Sequence, residues 1–266
     1  MKLQLLRVCC TLLVLLPFAN LKAQSSKDTA RVDSARSLTV IPDSVKPLKS
    51  KFRAFIVPGA CITYGALSFA VPPIREIDHR IHNEMTQHYP NFRSPIDNYL
   101  QFAPTVGVYA LNLAGVKGKN TFIDRTILLV MSEAIFYGMT AFLKETTGRL
   151  RPDESNRLSW PSGHAGNAFT SAEFMAQEFS GRSPWYGVAA YSFATTTAVL
   201  RVYNDKHWFS DIVAGAGFGI IATKTAYYIY PTIRKKVFRI KSNKNNALLL
   251  PSFRNGSLGV QFSASF

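Results

Sequence analysis

The chain has 266 residues, a formal net charge of +15 and a hydrophobic content of 47%. Its positive residues do not form a stripe with interleaved aromatic side chains, which argues against a nucleic-acid-binding protein. They flank apolar segments instead, as is typical of anchoring against anionic lipid headgroups, with a merely solvated basic face as the alternative. The two clusters are Lys46, Lys49, Lys51 and Arg53 before the first apolar segment, and Arg234, Lys235, Lys236, Arg239 and Lys241 after the last.

Residues 1–23 are predicted to form a secretory signal peptide. Lys2 and Arg7 give it a positive start, and residues 8–18 are an apolar stretch too short to cross a bilayer. Ala23 then offers a cleavage point. Residues 24–50, rich in Ser, Asp, Lys and Thr, are predicted to be a linker with no core of its own.

The main domain is predicted to span residues 51–231. If the signal peptide is removed, Cys61 is the remaining cysteine, which excludes an intrachain disulfide and a zinc site made of cysteines. Six apolar segments follow, and most approach the length of about 20 residues that crosses a bilayer. They cover residues 53–72, 95–114, 121–144, 164–180, 184–203 and 207–230. We therefore expect an all-α, six-helix membrane bundle.

Residues 74–90 place apolar side chains at helical spacing between charged ones, which predicts an amphipathic helix along a membrane surface. We expect its His79, His82 and His88 at an interface or an entrance rather than at a metal. Segment 164–180 carries polar side chains and is the candidate for a shielded inner helix.

Two further features lie towards the end of the chain. Gly215, Gly217 and Gly219 are expected to let another backbone approach the last helix closely. Residues 232–266 are predicted to form a basic segment and a tail. In this tail, residues 247–253 and 257–266 look like two short strands around a hairpin turn.

Three short blocks carry the candidate chemistry, and the first is Lys144 with Arg151 before Pro152. Lys144 ends the third apolar segment, and Pro152 favours an extended backbone at Arg151. The pair can therefore fold over one anion, to which Arg offers a two-pronged fork and Lys a compact charge. Alone, this block would be read as a solvated loop.

The second block, Pro161-Ser162-Gly163-His164, opens the next segment. Ser162 is a predicted N-cap, and Gly163 lets a ligand approach the backbone. The free N–H groups and the dipole of a helix start favour an anion. His164 would lie beside that anion, placed to donate a proton.

The third block contains Arg201, His207 and Asp211. The four-residue spacing predicts that His207 and Asp211 share a helix face within contact distance. Asp211 can then hold one ring nitrogen as N–H and leave the other free to attack. Arg201 can return to the same pocket across a turn. The sequence offers no cluster of acidic or histidine ligands for a pair of metal ions, so three cations are expected to supply the positive charge.

The three blocks in this order resemble the type 2 phosphatidic acid phosphatase (PAP2) superfamily, which also includes soluble acid phosphatases and vanadium haloperoxidases. The resemblance spans roughly residues 50–231, and Leu200 stands where the family often has Ser. It implies the PAP2/haloperoxidase fold, His207 as a nucleophile that forms a phosphohistidine, and Asp211 as its orienting partner. His164 would protonate the leaving alkoxide and later help to activate water. The phosphoryl oxygens would be held by Lys144, Arg151, Ser162, Gly163 and Arg201.

The expected function is that of a membrane-embedded lipid phosphatase without metal or cofactor. Its substrate would be a phosphate monoester or pyrophosphate of an envelope lipid, with a phosphate of lipid A as the first choice. One alternative is a secreted acid phosphatase on soluble phosphoesters, which the long apolar segments argue against. The other is a non-catalytic lipid-binding or transport protein, which the intact motif set argues against. The expected partners are a membrane and its lipid phosphate, with neither nucleic acid nor metal.

The predicted location is the inner membrane of a Gram-negative cell, multi-pass, with an outer-membrane association as the alternative. The positive flanks put the three blocks on the periplasmic side. A cleaved signal followed by six spanning helices would put them inside, so these two patterns conflict. We follow the flanks, because the chemistry of the resembling family is usually extracytoplasmic.

Overall fold

The computed structural model describes residues 52–237, 246–254 and 257–265. The predicted signal peptide and linker lie outside the described residues. A 3-10 turn at Phe52–Phe55 leads into the helical body. The α-helices are α1 (Ile56–Leu67), α2 (Pro72–His88), α3 (Asp97–Leu100), α4 (Ala103–Leu113), α5 (Phe122–Thr147), α6 (Gly163–Phe179), α7 (Trp185–Tyr203) and α8 (Phe209–Val237).

This body at residues 52–237 is all-α, as predicted. The tail contains two strands, β1 (Asn246–Arg254) and β2 (Ser257–Ser265). They pair antiparallel, with Asn246 opposite Ser265 and Arg254 opposite Ser257.

The predicted segments do not correspond one to one with helices. Segment 95–114 is divided into α3 and α4, with Pro104 in the first turn of α4. Proline favours a helix start because its missing N–H costs no bond there, so the break has a local cause. The segment at 53–72 is shorter than expected, since α1 ends at Leu67 and the chain bends by 87° into α2. Both breaks reduce the number of long helices below six.

The long apolar helices support a membrane protein. Within residues 52–237, α5 and the Phe209–Arg234 part of α8 are long and apolar enough to cross a bilayer. The bent pair of α1 and α2 makes a third candidate if it counts as one span. By length and composition the described helices therefore offer two or three spans, where the sequence predicted six.

Helix α6 lies at the centre of the bundle, as predicted for the shielded inner helix. Its Ala168, Ala172 and Phe174 are fully buried, and it packs along both α7 and α8. Its two carboxylates are paired across the bundle: Glu173 with Lys224 at 2.7 Å and Glu178 with Arg125 at 2.9 Å. These ion pairs explain how an inner helix tolerates charged residues.

The glycines of α8 allow the predicted close approach. A Cβ atom added at Gly219 would lie 2.2 Å from the carbonyl oxygen of Gly166, and one at Gly215 would lie 2.5 Å from that of Ser162. A larger side chain would therefore push α8 away from α6. The contact sets the distance between the start of α6 and the start of α8, where the candidate residues lie.

Candidate active site

The three sequence blocks meet at one end of the bundle, where α5 and α7 end and α6 and α8 begin. Helix α5 ends at Gly148, which has a positive φ of 53° that glycine adopts without strain. Helix α6 begins after Ser162, whose hydroxyl accepts a hydrogen bond from the Ala165 N–H. The Ser162 N–H donates to the Asp211 carbonyl oxygen at 3.0 Å, which joins the second block to the third.

The His207 imidazole is buried and held in one orientation. Its Nδ1 lies 2.8 Å from the Ser159 carbonyl oxygen. Because a carbonyl can only accept, Nδ1 carries the proton and Nε2 keeps its lone pair. Burial, and then the positive charges of Arg201 and Lys144, outweigh Asp211 and lower the pKa of His207 to about 4. The ring is therefore neutral near pH 7, as a nucleophile requires.

Asp211 lies beside His207 but does not accept the hydrogen bond of its Nδ1. Its Oδ2 lies 3.7 Å from His207 Nδ1, so the two side chains are neighbours, but Nδ1 bonds Ser159 instead. The carboxylate accepts hydrogen bonds from the Ser159 hydroxyl at 2.5 Å and from Arg149 Nη1 at 2.7 Å. The difference arises because His207 precedes the first turn of α8, so the helical four-residue spacing does not bring its Nδ1 onto the carboxylate. Hydrogen bonds thus join Asp211 to Ser159 and Arg149, and its carboxylate lies beside His207 as a neighbouring negative charge.

Arg149 is a residue that the sequence reasoning missed. Its guanidinium bridges two fully buried carboxylates, with Nη1 on Asp211 and Nη2 on Asp78 of α2, each at 2.7 Å. Asp78 also accepts from the Ser210 backbone N–H at 2.8 Å. Asp78 does not stand out in the sequence, because it lies among the charged residues of an amphipathic helix. Arg149 lies within the first block but is not one of its motif residues. Together they tie α2 and the loop after α5 to the start of α8.

The charges of all three predicted cations act on the His164 imidazole, and those of Arg201 and Lys144 also act on the His207 imidazole. The Nε–H groups of Arg151 and Arg201 are buried and have no hydrogen-bond partner among the described residues. Lys144 Nζ donates to the Leu158 carbonyl oxygen at 2.6 Å.

The backbone at the start of α6 leaves room beside these cations. A Cβ atom added at Gly163 would meet only the Cε atom of Lys144, at 4.0 Å. Burial, and then repulsion from Arg201, lower the pKa of the Arg151 guanidinium, which reflects the crowding of positive charge. Crowded cations with unused donors favour an anionic ligand.

Two residues of the short helix α3 contact candidate site residues on other helices. Asn98 Oδ1 lies 2.8 Å from His164 Nε2, and Asp97 accepts from Arg201 Nη1 at 2.7 Å. Neither role could be read from the sequence, where these residues belong to an apolar segment predicted to span the membrane. The break of that segment places polar side chains at the site.

Two histidines of α2 pack against the third block. His82 Nδ1 lies 2.8 Å from Asp205, and the rings of His79 and His82 lie 5.1 Å and 5.4 Å from that of Trp208. The predicted place of the three histidines at an interface or an entrance stays a prediction. The described part of the chain contains no group of three or more His, Cys, Asp or Glu side chains that could hold a metal ion.

This arrangement can bind an oxyanion and attack it. His207 Nε2 carries an unprotonated lone pair that can attack. The cations can balance the negative charge of the oxyanion, and His164 can carry a proton.

Comparisons with known proteins agree with the motifs. The model of the PAP2 superfamily matches residues 125–235. A lipid A 1-phosphatase of Porphyromonas gingivalis is 36% identical over 140 residues, which cover 52% of this chain and 32% of that protein. A lipid A 4'-phosphatase of Bacteroides thetaiotaomicron is 32% identical over 98 residues, covering 30% of this chain and 43% of that protein. The chain thus spans less than half the length of these two curated relatives.

Among solved structures, the first transmembrane PAP2 type phosphatidylglycerolphosphate phosphatase from Bacillus subtilis matches with a TM-score of 0.45 and 20% identity. The match covers 70% of this chain and 98% of that one.

Proposed function

We propose, from the premise that this chain carries a PAP2 superfamily domain at residues 125–235, that it is a membrane-embedded phosphatase of lipid phosphates. The observation that carries the proposal is the pair of buried guanidinium Nε–H groups beside a neutral, oriented His207. Donors of this kind match the equatorial oxygens of a phosphoryl group in transfer. We assign the catalytic domain to residues 51–231.

In the first step, His207 Nε2 attacks phosphorus and the bond from phosphorus to the leaving oxygen breaks. Arg151, Arg201 and Lys144 would hold the phosphoryl oxygens, and Gly163 would leave its backbone open to them. The charge of a bound phosphate favours the protonated form of His164, which then gives its proton to the leaving alkoxide. The products are the free alcohol and a phosphohistidine.

In the second step, neutral His164 takes a proton from water, and the resulting hydroxide attacks the phosphohistidine. The bond from Nε2 to phosphorus breaks, His207 is regenerated, and inorganic phosphate leaves. The Ser159 carbonyl keeps the Nδ1 proton of His207 in place through both steps, with Asp211 as its neighbouring negative charge. The Ser162 side chain is fully buried and caps α6. It would fix the start of the helix rather than donate a hydrogen bond to the phosphate.

The substrate we propose is a phosphate monoester or pyrophosphate of an envelope lipid, with a phosphate of lipid A as the first choice. The named activities of the curated relatives support this choice. The proposed location is the inner membrane, with the site facing the periplasm, as the positive flanks of the apolar segments indicate.

The experiment that tests the function compares lipid and soluble substrates. In one mixed-micelle condition, the purified protein should release phosphate from lipid A, undecaprenyl pyrophosphate or phosphatidate with a higher kcat/KM than from a small aryl phosphate. The reason is that remote lipid groups contribute binding energy that a soluble ester lacks. A small phosphate that is the best substrate by a clear margin would favour the acid phosphatase alternative, and no release from any of them would favour a binding protein.

A second measurement concerns metal ions. Phosphate release should persist in excess EDTA, because Lys144, Arg151 and Arg201 would supply the charge that metal ions supply in other phosphatases. Vanadate should inhibit as a mimic of the pentacoordinate transition state. A metal-dependent phosphatase assayed in the same buffer is the control, and activity that EDTA removes and magnesium or zinc restores would contradict the mechanism.

A further inference from the structure

An apolar groove of about 770 Å³ lies between α7 and α8. These two helices pack along the same inner helix, α6, but scarcely against each other. The groove is lined by α7 at Thr195 and Val199, by α8 at Val213 and Ala216, and by α6 at Phe169. Residues of α1 and α2 complete the lining.

The charged residues that line the groove neutralise each other. Lys224 Nζ lies 2.7 Å from Glu173, and the Tyr191 hydroxyl donates to the same carboxylate. The remaining wall is almost entirely apolar. A polar or ionic ligand would therefore gain little binding free energy in the groove, whereas a hydrocarbon would match its apolar wall.

One end of the groove adjoins the candidate active site. Val202 and Ile212 line the groove and are the immediate chain neighbours of Arg201 and Asp211. Ile81 and Met85 of α2 also line it, and α2 is tied to the site through Asp78. The apolar wall of the groove thus comes within one residue of two charged side chains of the site.

The groove is long enough to hold one lipid chain. Its lining on α8 runs from Phe209 to Lys224, which is about 22 Å at the rise of an α-helix. The hydrocarbon of a whole bilayer is about 30 Å thick, so that of one leaflet is about 15 Å. Because α8 is apolar enough to cross a membrane, we expect the groove to lie within the hydrocarbon layer, where lipid tails surround the protein.

We propose that this groove holds one hydrocarbon chain of the lipid whose phosphate occupies the candidate active site. This inference rests on the proposed function. Lipid tails are as apolar as the groove, so the chain gains little free energy by entering it. Its effect is on position: a chain held between α7 and α8 sets where the phosphate stands relative to His207.

A matched pair of substitutions tests the groove. Thr195 and Thr196 are both exposed on α7, but only Thr195 lines the groove. We expect Thr195→Trp to lower the ratio of kcat/KM for dipalmitoyl over dioctanoyl phosphatidate at least about tenfold, because small displacements of a reacting group are costly. Thr196→Trp should leave the ratio unchanged. Equal effects of the two variants would overturn the proposal, and so would no effect of either.

A second measurement does not require turnover. The His207→Ala variant is mixed with phosphatidate that carries a diazirine at the end of one acyl chain, then irradiated and digested. Labels should fall on peptides of α7 and α8 that line the groove, and Thr195→Trp should remove them. Labels confined to the outer face of α5 would overturn the proposal. If the protein is a dimer and Thr195→Trp makes it a monomer, a second copy of the chain occupies the groove. That result would also overturn the proposal. Groove labelling by a protein that hydrolyses no lipid phosphate would instead refute only the proposed function.

Discussion

Replacing His207 by Ala is expected to abolish phosphate release while the protein remains folded. His207 is the nucleophile of the proposed mechanism, and its Nε2 keeps the attacking lone pair because Nδ1 donates to the Ser159 carbonyl oxygen. Removal of a covalent nucleophile costs about 10⁴-fold or more in kcat. The expected loss is therefore larger than for any other single change at the site.

The measurement is phosphate release together with trapping of the intermediate. Rapid denaturation of the wild-type protein during turnover of a labelled substrate should yield an acid-labile phosphohistidine, absent from His207→Ala. His88→Ala is the matched control, because His88 is an exposed histidine of α2 that contacts Glu84 of the same helix. A His207→Ala variant that keeps more than a small residue of activity would remove His207 from the role of nucleophile.

Replacing Arg149 by Met is expected to cost both stability and activity. The change leaves the carboxylates of Asp78 and Asp211 without their shared cation, and both are fully buried. Breaking a buried ion pair costs about 3–5 kcal/mol. The Ser159 carbonyl that orients His207 is held through Asp211, so the rate should fall as well.

Thermal unfolding in detergent and phosphate release at a temperature where both proteins are folded separate the two effects. Arg157→Met is the control, since Arg157 is an exposed arginine of the same loop. It should match the wild type in both measurements. If Arg149→Met unfolds at the wild-type temperature, the bridge is not a stabilising feature. If it keeps the wild-type rate when folded, Arg149 does not act on His207 through Asp211.

The sequence by itself determined the features that depend on local chain chemistry. Ser162 as a helix cap, α6 as an inner helix and the glycine contact of α8 were all predicted from short patterns, because capping, polarity and side-chain volume act over a few residues. The three blocks also indicated a resemblance to the PAP2 superfamily, since their residue types and order carry that information without any coordinates. The roles of His164, His207 and the three cations in catalysis stay predictions, which the substitutions above test.

Only the tertiary structure decided which partner each buried polar group takes. Asp211 could have received the Nδ1 proton of His207, but the Ser159 carbonyl lies closer, and Arg149 takes the carboxylate. Arg149 and Asp78 are 71 residues apart in the chain, and Asn98 reaches His164 from a segment that the sequence predicted as a single helix. Such pairings follow from how helices pack, because a buried polar group must be satisfied by whatever donor or acceptor the packing brings to it. The groove between α7 and α8 has the same origin, since it exists where both helices pack on α6 and not on each other.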